Sequence, residues 1–198
     1  MSGKLRLTGK LNITAKRMLK KVCGILDKND IPYVLEGGTL LGIVRENRLL
    51  PWDNDLDITI IEQDMDNVLK LRRQFWWAGY KLRLKISREE MPHFSIGSVR
   101  LIKVKTKKYF LATGIGLMDI FIKKKINNKY YWLVGQHDHV LKSVPYHFYE
   151  NFTRYNFEGY DYSVPADYEN YLTYRYGDWQ KIVKDYDFKK DDHSIVDA

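Results

Sequence analysis

The sequence contains one cysteine, Cys23, among its 198 residues. It can therefore form no intrachain disulfide and no zinc site built from several cysteines. No apolar run reaches the roughly 18 residues that a membrane span requires, and no signal-type hydrophobic segment follows the first residues. These absences predict a cytoplasmic protein without a transmembrane segment, for which peripheral contact with a membrane stays open.

The sequence also lacks a long basic tract, an arginine-rich arm and an aromatic RNA-binding motif, although its net charge is 33 − 25 = +8. The lysines occur in short clusters spread along the chain. Charge of this kind affects solubility and non-specific association before it specifies a site. We therefore expect a solvated basic surface and no nucleic-acid partner.

Neither an internal repeat nor a Gly/Ser-rich linker divides the chain. With 44% hydrophobic residues it has the composition of a folded protein, and its length suits one compact domain. We predict a single domain over residues 1–198, with flexible ends at about residues 1–10 and 186–198.

Hydrophobic periodicity predicts a mixed fold of the α/β (α+β) type. Apolar residues at intervals of three and four predict a helix over residues 13–26, and Pro32 follows its end. A short strand, a glycine turn and a second helix come next, followed by a strand over residues 55–61. Further predicted elements are a helix over 65–78, strands over 80–86, 94–104 and 117–122, and a mostly helical segment over 167–183. This order favours a mixed β-sheet flanked by helices.

Asp55 and Asp57 occupy alternate positions at the start of an apolar strand, so their side chains project to the same face. Two adjacent carboxylates repel each other unless a cation lies between them, and oxygen ligands suit Mg²⁺ or Mn²⁺. The alternative is solvent exposure at a strand edge. Turn formation explains the presence of Asp53 and Asn54 as well as a role in the metal site would.

Asp119 lies within a second apolar, strand-like run. An ionised carboxylate there needs a partner or a metal ion to offset its desolvation. We expect it to complete a three-acid, two-metal centre with the first pair. The alternative is an ion pair with a lysine such as Lys103 or Lys123.

Gly37, Gly38 and Thr39 lie between a short strand and a helix. Such a turn can present backbone N–H groups and a hydroxyl to a phosphate. Arg45 and Arg48 follow, and they could neutralise a diphosphate, although each alone is more often a surface residue.

Two other patterns carry less chemistry. His137, Asp138 and His139 suggest a loop and not a metal site, because further ligands would have to come from elsewhere. Residues 113–116 contain two glycines but lack the full dinucleotide fingerprint, so we predict a turn there.

The strings LEGGTLLGIVR at residues 35–45 and LPWDNDLDI at residues 50–58 resemble the LicD family, which includes the fukutin-type proteins. The order and spacing of the glycine block, the arginine and the PWD motif with its further aspartate match the family pattern. The sequence departs from the pattern at Glu46, where a histidine is frequent, and at Asn54, where an aspartate is frequent.

The resemblance implies a nucleotidyltransferase-type fold and a metal-dependent phosphotransferase. It implies transfer of a phosphorylated alcohol, such as phosphocholine or ribitol phosphate, from a CDP-linked donor to a sugar or glycan hydroxyl. Asp55 and Asp57 would bind Mg²⁺ or Mn²⁺ with Asp119 as the third acid, and residues 37–39 would bind the donor phosphates.

Two alternative functions stay open at the level of the sequence, because fold alone does not settle the reaction. One is nucleotidyl transfer to a sugar, a small alcohol or a protein hydroxyl. The other is a catalytically silent module that binds a nucleotide or a glycan.

Overall fold

The computed structural model of the protein describes residues 5–108, 112–135 and 138–196. Its helices are α1 (Gly9–Asp27), α2 (Gly37–Glu46), α3 (Met65–Lys70), α4 (Arg72–Trp77) and α5 (Tyr168–Tyr176). Its strands are β1 (Val34–Leu35), β2 (Leu56–Ile61), β3 (Tyr80–Ile86), β4 (Val99–Lys108), β5 (Ala112–Ile126), β6 (Lys129–Val134), β7 (Val140–Pro145), β8 (Phe152–Phe157) and β9 (Tyr160–Pro165). Within this part of the chain, no helix combines the length and the apolar character needed to cross a membrane.

The main sheet has the strand order β1-β2-β5-β4-β3, and the long strand β5 also pairs with β6, which pairs with β7. The β2–β5 pair is parallel, and the other pairs are antiparallel. Strands β8 and β9 form a separate hairpin. The predicted mixed sheet with flanking helices is confirmed.

Helix α1 covers one face of the sheet with an apolar stripe. It begins at Gly9, four residues before the predicted start, and its buried side chains recur at intervals of three and four. They are Ala15, Met18, Leu19, Val22, Cys23 and Leu26. Burial raises the pKa of the Cys23 thiol, which keeps this lone cysteine protonated and inert.

Several predicted boundaries were wrong. The single helix over residues 65–78 is two short helices, because Leu71 leaves the helical conformation with φ −80° and ψ 4°. The strand predicted over 94–104 begins only at Val99. Helix α5 ends at Tyr176 and not at residue 183, because Gly177 takes a positive φ of 63°.

The glycine-containing segment 113–116 lies inside strand β5 and does not form the predicted turn. Gly114 is needed there because a Cβ atom would collide with the side chain of Thr106 on β4 and would lie 3.0 Å from its backbone oxygen. The glycine thus permits close strand contact and not a change of direction. His139 lies between β6 and β7 as expected, and His137 lies outside the described residues.

Candidate active site

The glycine turn is fixed to the acidic strand on both sides of Asp57. The backbone N–H of Glu36 donates to the carbonyl oxygen of Asp57 at 3.0 Å. The Asp57 N–H donates to the hydroxyl oxygen of Thr39 at 2.9 Å. The first turn of α2 and the start of β2 therefore hold each other in position, and the Thr39 hydroxyl is engaged by the strand.

Gly37 and Gly38 make room for two of the carboxylates. Gly37 has φ +57°, and an added Cβ atom would lie 2.6 Å from Oδ2 of Asp57. A Cβ atom on Gly38 would overlap Oδ2 of Asp53. Both glycines are thus required by the close approach of aspartate side chains to the N-terminus of α2, where negative charge is favoured.

The structure brings Asp55, Asp57 and Asp119 together. Asp57 on β2 is the register partner of Asp119 on β5 in the parallel pair, so both side chains project from the same face of adjacent strands. Asp55 immediately precedes β2 and lies two residues before Asp57. Asp119 is placed where the sequence suggested, whereas its role stays a prediction.

Lys103 of β4 lies between two of these carboxylates. Its Nζ atom is 2.8 Å from Oδ1 of Asp119 and 3.9 Å from Oδ2 of Asp55. The ion pair that the sequence left open as an alternative is therefore present, but Asp119 still projects from the same sheet face as Asp57. The lysine was not predicted as a member of the site, and its position opposite Asp119 on β4 follows only from strand pairing.

The carboxylates hold their protons more tightly than free aspartates do. Burial, together with the charges of Asp119 and Asp53, raises the pKa of Asp55 to about 7. Burial and the surrounding acids also raise the pKa of Asp57 well above its usual value. Burial also raises the pKa of Asp119, against the opposing effect of Lys103. A site with this excess of negative charge favours a bound cation.

The three carboxylates fit a divalent cation in donor type, because hard oxygen ligands suit Mg²⁺ or Mn²⁺. Within residues 5–108, 112–135 and 138–196, however, no group of three or more acidic, histidine or cysteine side chains already has the spacing of a metal cage. The Lys103 ammonium supplies the positive charge between Asp55 and Asp119 in this arrangement. A metal ion would take over that role.

Arg45 and Arg48, predicted at the donor phosphates, both contact Glu46. Arg45 donates to Oε1 of Glu46 at 2.6 and 3.0 Å, and Arg48 donates to Oε2 at 2.5 and 2.8 Å. Arg45 also donates to the carbonyl oxygens of Trp179 and Lys181. Arg45 thus links the end of α2 to the segment after α5, and a phosphate contact by either arginine stays a prediction.

Behind the glycine turn, the carboxylate of Glu36 is the centre of a buried ionic network. It contacts Lys123 at 2.7 Å and Arg175 at 2.5 Å. Burial alone would raise its pKa, but the two cations outweigh burial and hold the pKa well below the usual range. It also accepts hydrogen bonds from the hydroxyl groups of Thr59, Tyr149 and Tyr171. This network, which was not predicted, anchors the start of α2.

The close contact at Gly38 leads to a testable prediction. We expect Gly38→Ala to reduce the free energy of unfolding by about 1–3 kcal/mol, because the added methyl group displaces the Asp53 carboxylate. Chemical denaturation would measure the loss. Gly24→Ala is the matched control, since its methyl group would lie 3.4 Å from its nearest neighbour, the Tyr160 hydroxyl, and alanine is favoured in a helix. Equal stability of the Gly38 variant and the wild type would contradict the prediction.

The segment that carries these residues matches a known family. A family model described as LicD/FKTN/FKRP, nucleotidyltransferase domain, matches residues 30–167, which is more than half of the chain. The chain belongs to the LicD family. The match includes the glycine turn, the acidic strand and Asp119, so the resemblance suggested by residues 35–45 and 50–58 is confirmed.

Individual relatives of this LicD-family chain are distant. An uncharacterized protein of Rickettsia typhi is 28% identical over 182 residues, which are 90% of this chain and 50% of the relative. An uncharacterized protein of Rickettsia prowazekii is 27% identical over 185 residues, or 91% and 60% of the two chains. The ribitol 5-phosphate transferase FKRP of Homo sapiens is 25% identical over 170 residues, or 79% and 30%. The chain thus spans 30–60% of the length of these relatives.

Proposed function

We propose that this chain is a metal-dependent phosphotransferase that moves a phosphorylated alcohol from a CDP-linked donor to a sugar hydroxyl. The observation that carries the proposal is the register pairing of Asp57 with Asp119, with Asp55 at the entry of the same strand. Family membership and the distant likeness to a ribitol 5-phosphate transferase support the choice of reaction.

Asp55, Asp57 and Asp119 would hold Mg²⁺ or Mn²⁺. A bound ion would neutralise the charge that develops on the diphosphate. Thr39 and Glu36 keep Asp57 in place through their contacts with its backbone. Gly37 and Gly38 let the acids approach the N-terminus of α2, and their contact with donor phosphates stays part of the proposal.

Asp119 is the best candidate to orient or deprotonate the acceptor hydroxyl. Burial raises its pKa toward the range that suits a general base. Lys103 forms an ion pair with its Oδ1 atom, so the lysine restrains the orientation of the carboxylate. Displacement of this ammonium from Asp119 would leave the carboxylate available to the acceptor.

A donor screen tests the proposed reaction. We expect the purified protein with Mg²⁺ to release CMP from CDP-ribitol or CDP-choline in the presence of a sugar acceptor, measured by chromatography of the nucleotide products. Release of pyrophosphate from CTP with a sugar, alcohol or protein acceptor would instead identify a nucleotidyltransferase. Thermal stabilisation by CDP and Mg²⁺ without turnover of any donor would identify a silent binding module.

A further inference from the structure

Basic side chains cover the outer part of the sheet face that carries the three aspartates. Arg83 on β3 lies directly opposite Lys103 on β4, which lies opposite Asp119 on β5. Lys81 likewise lies opposite Lys105. Because directly paired residues project to one face, the two strands present these cations beside the acids. We call this set the basic ladder, and its members are Lys81, Arg83, Lys85, Lys103 and Lys105.

The basic ladder places like charges next to each other. Cross-strand pairs of like charge destabilise a sheet, and this arrangement contains two of them. Among the residues that the structure describes, Arg83, Lys85 and Lys105 form no ion pair with an acidic side chain. Burial, and then the charges of the neighbouring cations, lower the pKa of Lys85. An anion bound over the ladder would remove this repulsion.

Arg100 adds a buried cation next to the ladder. Lys85 pairs with Leu101 and Ile86 pairs with Val99, so Arg100 is the extra residue of a β-bulge. Its side chain is only 4% exposed, and its Nε atom has no hydrogen-bond partner in the described part of the chain. A buried donor without an acceptor destabilises the fold. The bulge therefore holds a donor that lacks an acceptor.

Protection of a sheet edge explains only part of this pattern. β3 is an edge strand, and lysines on such strands prevent pairing with other chains. Lys103 and Lys105, however, are on the inner strand β4. A Cβ atom on Gly116 of β5 would lie 2.9 Å from Cδ of Lys103 and 3.4 Å from Cε of Lys105. Both side chains therefore extend over β5 and away from the edge, and that of Lys103 reaches Asp119.

We propose that the basic ladder and Arg100 form a phosphate-binding subsite that holds a phosphate group of one substrate beside the three aspartates. Guanidinium groups bind phosphate through paired hydrogen bonds, and ammonium groups add charge. The identity of the substrate rests on the proposed function. The shared chemistry is that of a phosphate ester, which is present in the diphosphate of a donor and in a phosphorylated acceptor.

Binding of inorganic pyrophosphate tests the subsite, measured by calorimetry without divalent metal so that the acids cannot bind the probe through a metal ion. The test variant is Arg83→Gln/Lys85→Gln, because both side chains are exposed and their loss spares the core. We expect its affinity to fall at least about tenfold, since a hydrogen bond to a charged group commonly contributes more than the equivalent of a factor of ten.

Arg72→Gln/Arg73→Gln is the matched control. It removes the same charge from exposed positions of α4, and we expect the pyrophosphate affinity to change less than about twofold, because distant surface charges are screened by salt. The subsite is rejected if the wild type does not bind pyrophosphate, or if the two double variants lose affinity equally.

Competition identifies the source of the phosphate. Displacement of pyrophosphate by CDP, and not by glucose 6-phosphate, assigns the subsite to the donor, and the reverse assigns it to a phosphorylated acceptor. If neither compound displaces pyrophosphate, the ladder is not a substrate site.

Failure of the phosphate subsite can be distinguished from failure of the proposed reaction. Unchanged KM values for donor and acceptor in the Arg83→Gln/Lys85→Gln variant would reject the subsite and keep the reaction. Pyrophosphate binding that depends on Arg83 and Lys85, without turnover of any CDP-linked donor, would keep the subsite and reject the reaction.

Discussion

Asp57→Asn is expected to lower turnover by at least about 100-fold. Loss of a residue that only supports a metal ligand typically costs up to about 100-fold, and loss of the ligand itself should cost at least as much. The variant keeps the shape of the side chain against Gly37 and loses the charge that would bind the metal ion. Without metal, its melting temperature should equal or exceed that of the wild type, because substitution relieves repulsion from Asp55 and Asp119. Product release and thermal unfolding, each with and without Mg²⁺, would measure these effects.

Asp66→Asn is the matched control for this prediction. It makes the same chemical change at an exposed position of α3, so turnover and the Mg²⁺-dependent shift in melting temperature should match those of the wild type. Full activity of Asp57→Asn would refute the metal assignment. Loss of activity together with a lower melting temperature in the absence of metal would show that the carboxylate has a structural role.

Local sequence patterns predicted the elements that carry the acids. The alternation around Asp57 and the apolar run around Asp119 both indicated strands, and β2 and β5 contain these residues. The glycines at the start of α2 were also visible, because Gly37 and Gly38 follow a short apolar strand, although they form the first turn of the helix and not a separate turn before it. What these patterns have in common is that a few neighbouring residues determine them.

Such local patterns could not predict which strands pair. The parallel contact of β2 with β5 joins segments about 60 residues apart in the chain, so the sequence suggested a shared cleft without fixing the neighbour of Asp57. The placement of Lys103 depends on the pairing of β4 with β5, and the bulge at Arg100 depends on the pairing of β3 with β4. The sequence offered Lys103 as a possible partner of Asp119 but not as a neighbour of Asp55, and Arg100 was missed because an arginine alone resembles an ordinary surface residue.

The helix break at Leu71 and the strand at residues 113–116 show a second limit. Helical spacing over residues 65–78 continues through Leu71, where the chain changes direction although no proline or glycine is present. Gly114 gave a turn signal, but the space beside Thr106 required a glycine for packing. At Gly114 a tertiary contact thus overrides the local preference.

The buried network around Glu36 could have been suspected only from one feature, an acidic residue between the buried strand β1 and the glycine turn. The sequence offered Lys123 as a possible partner of Asp119, but its side chain is fully buried against Glu36. Its distance from Glu36 along the chain, 87 residues, hides the pair from any local pattern. Burial of both charges makes each dependent on the other.

Glu36→Gln is therefore expected to reduce the free energy of unfolding by about 3–5 kcal/mol, the usual cost of breaking a buried ion pair. The substitution preserves the shape of the side chain but leaves the Lys123 ammonium without a carboxylate partner among the described residues, whereas Arg175 keeps Asp192. Denaturation by urea would measure the loss. Turnover should also fall, because Glu36 begins the helix whose first turn contacts Asp57.

The double variant Glu36→Gln/Lys123→Met separates the charge effect from a change in packing. Methionine occupies a similar volume without the charge, so the double variant should be more stable than Glu36→Gln alone, and the double-mutant cycle should show coupling of at least about 1 kcal/mol. Lys21→Met, at an exposed position of α1, controls for the loss of a lysine and should leave the effect of Glu36→Gln unchanged. Additive effects of Glu36→Gln and Lys123→Met would mean that the pair is not the source of the stability, and that the hydroxyl groups of Tyr149 and Tyr171 hold Glu36 in place.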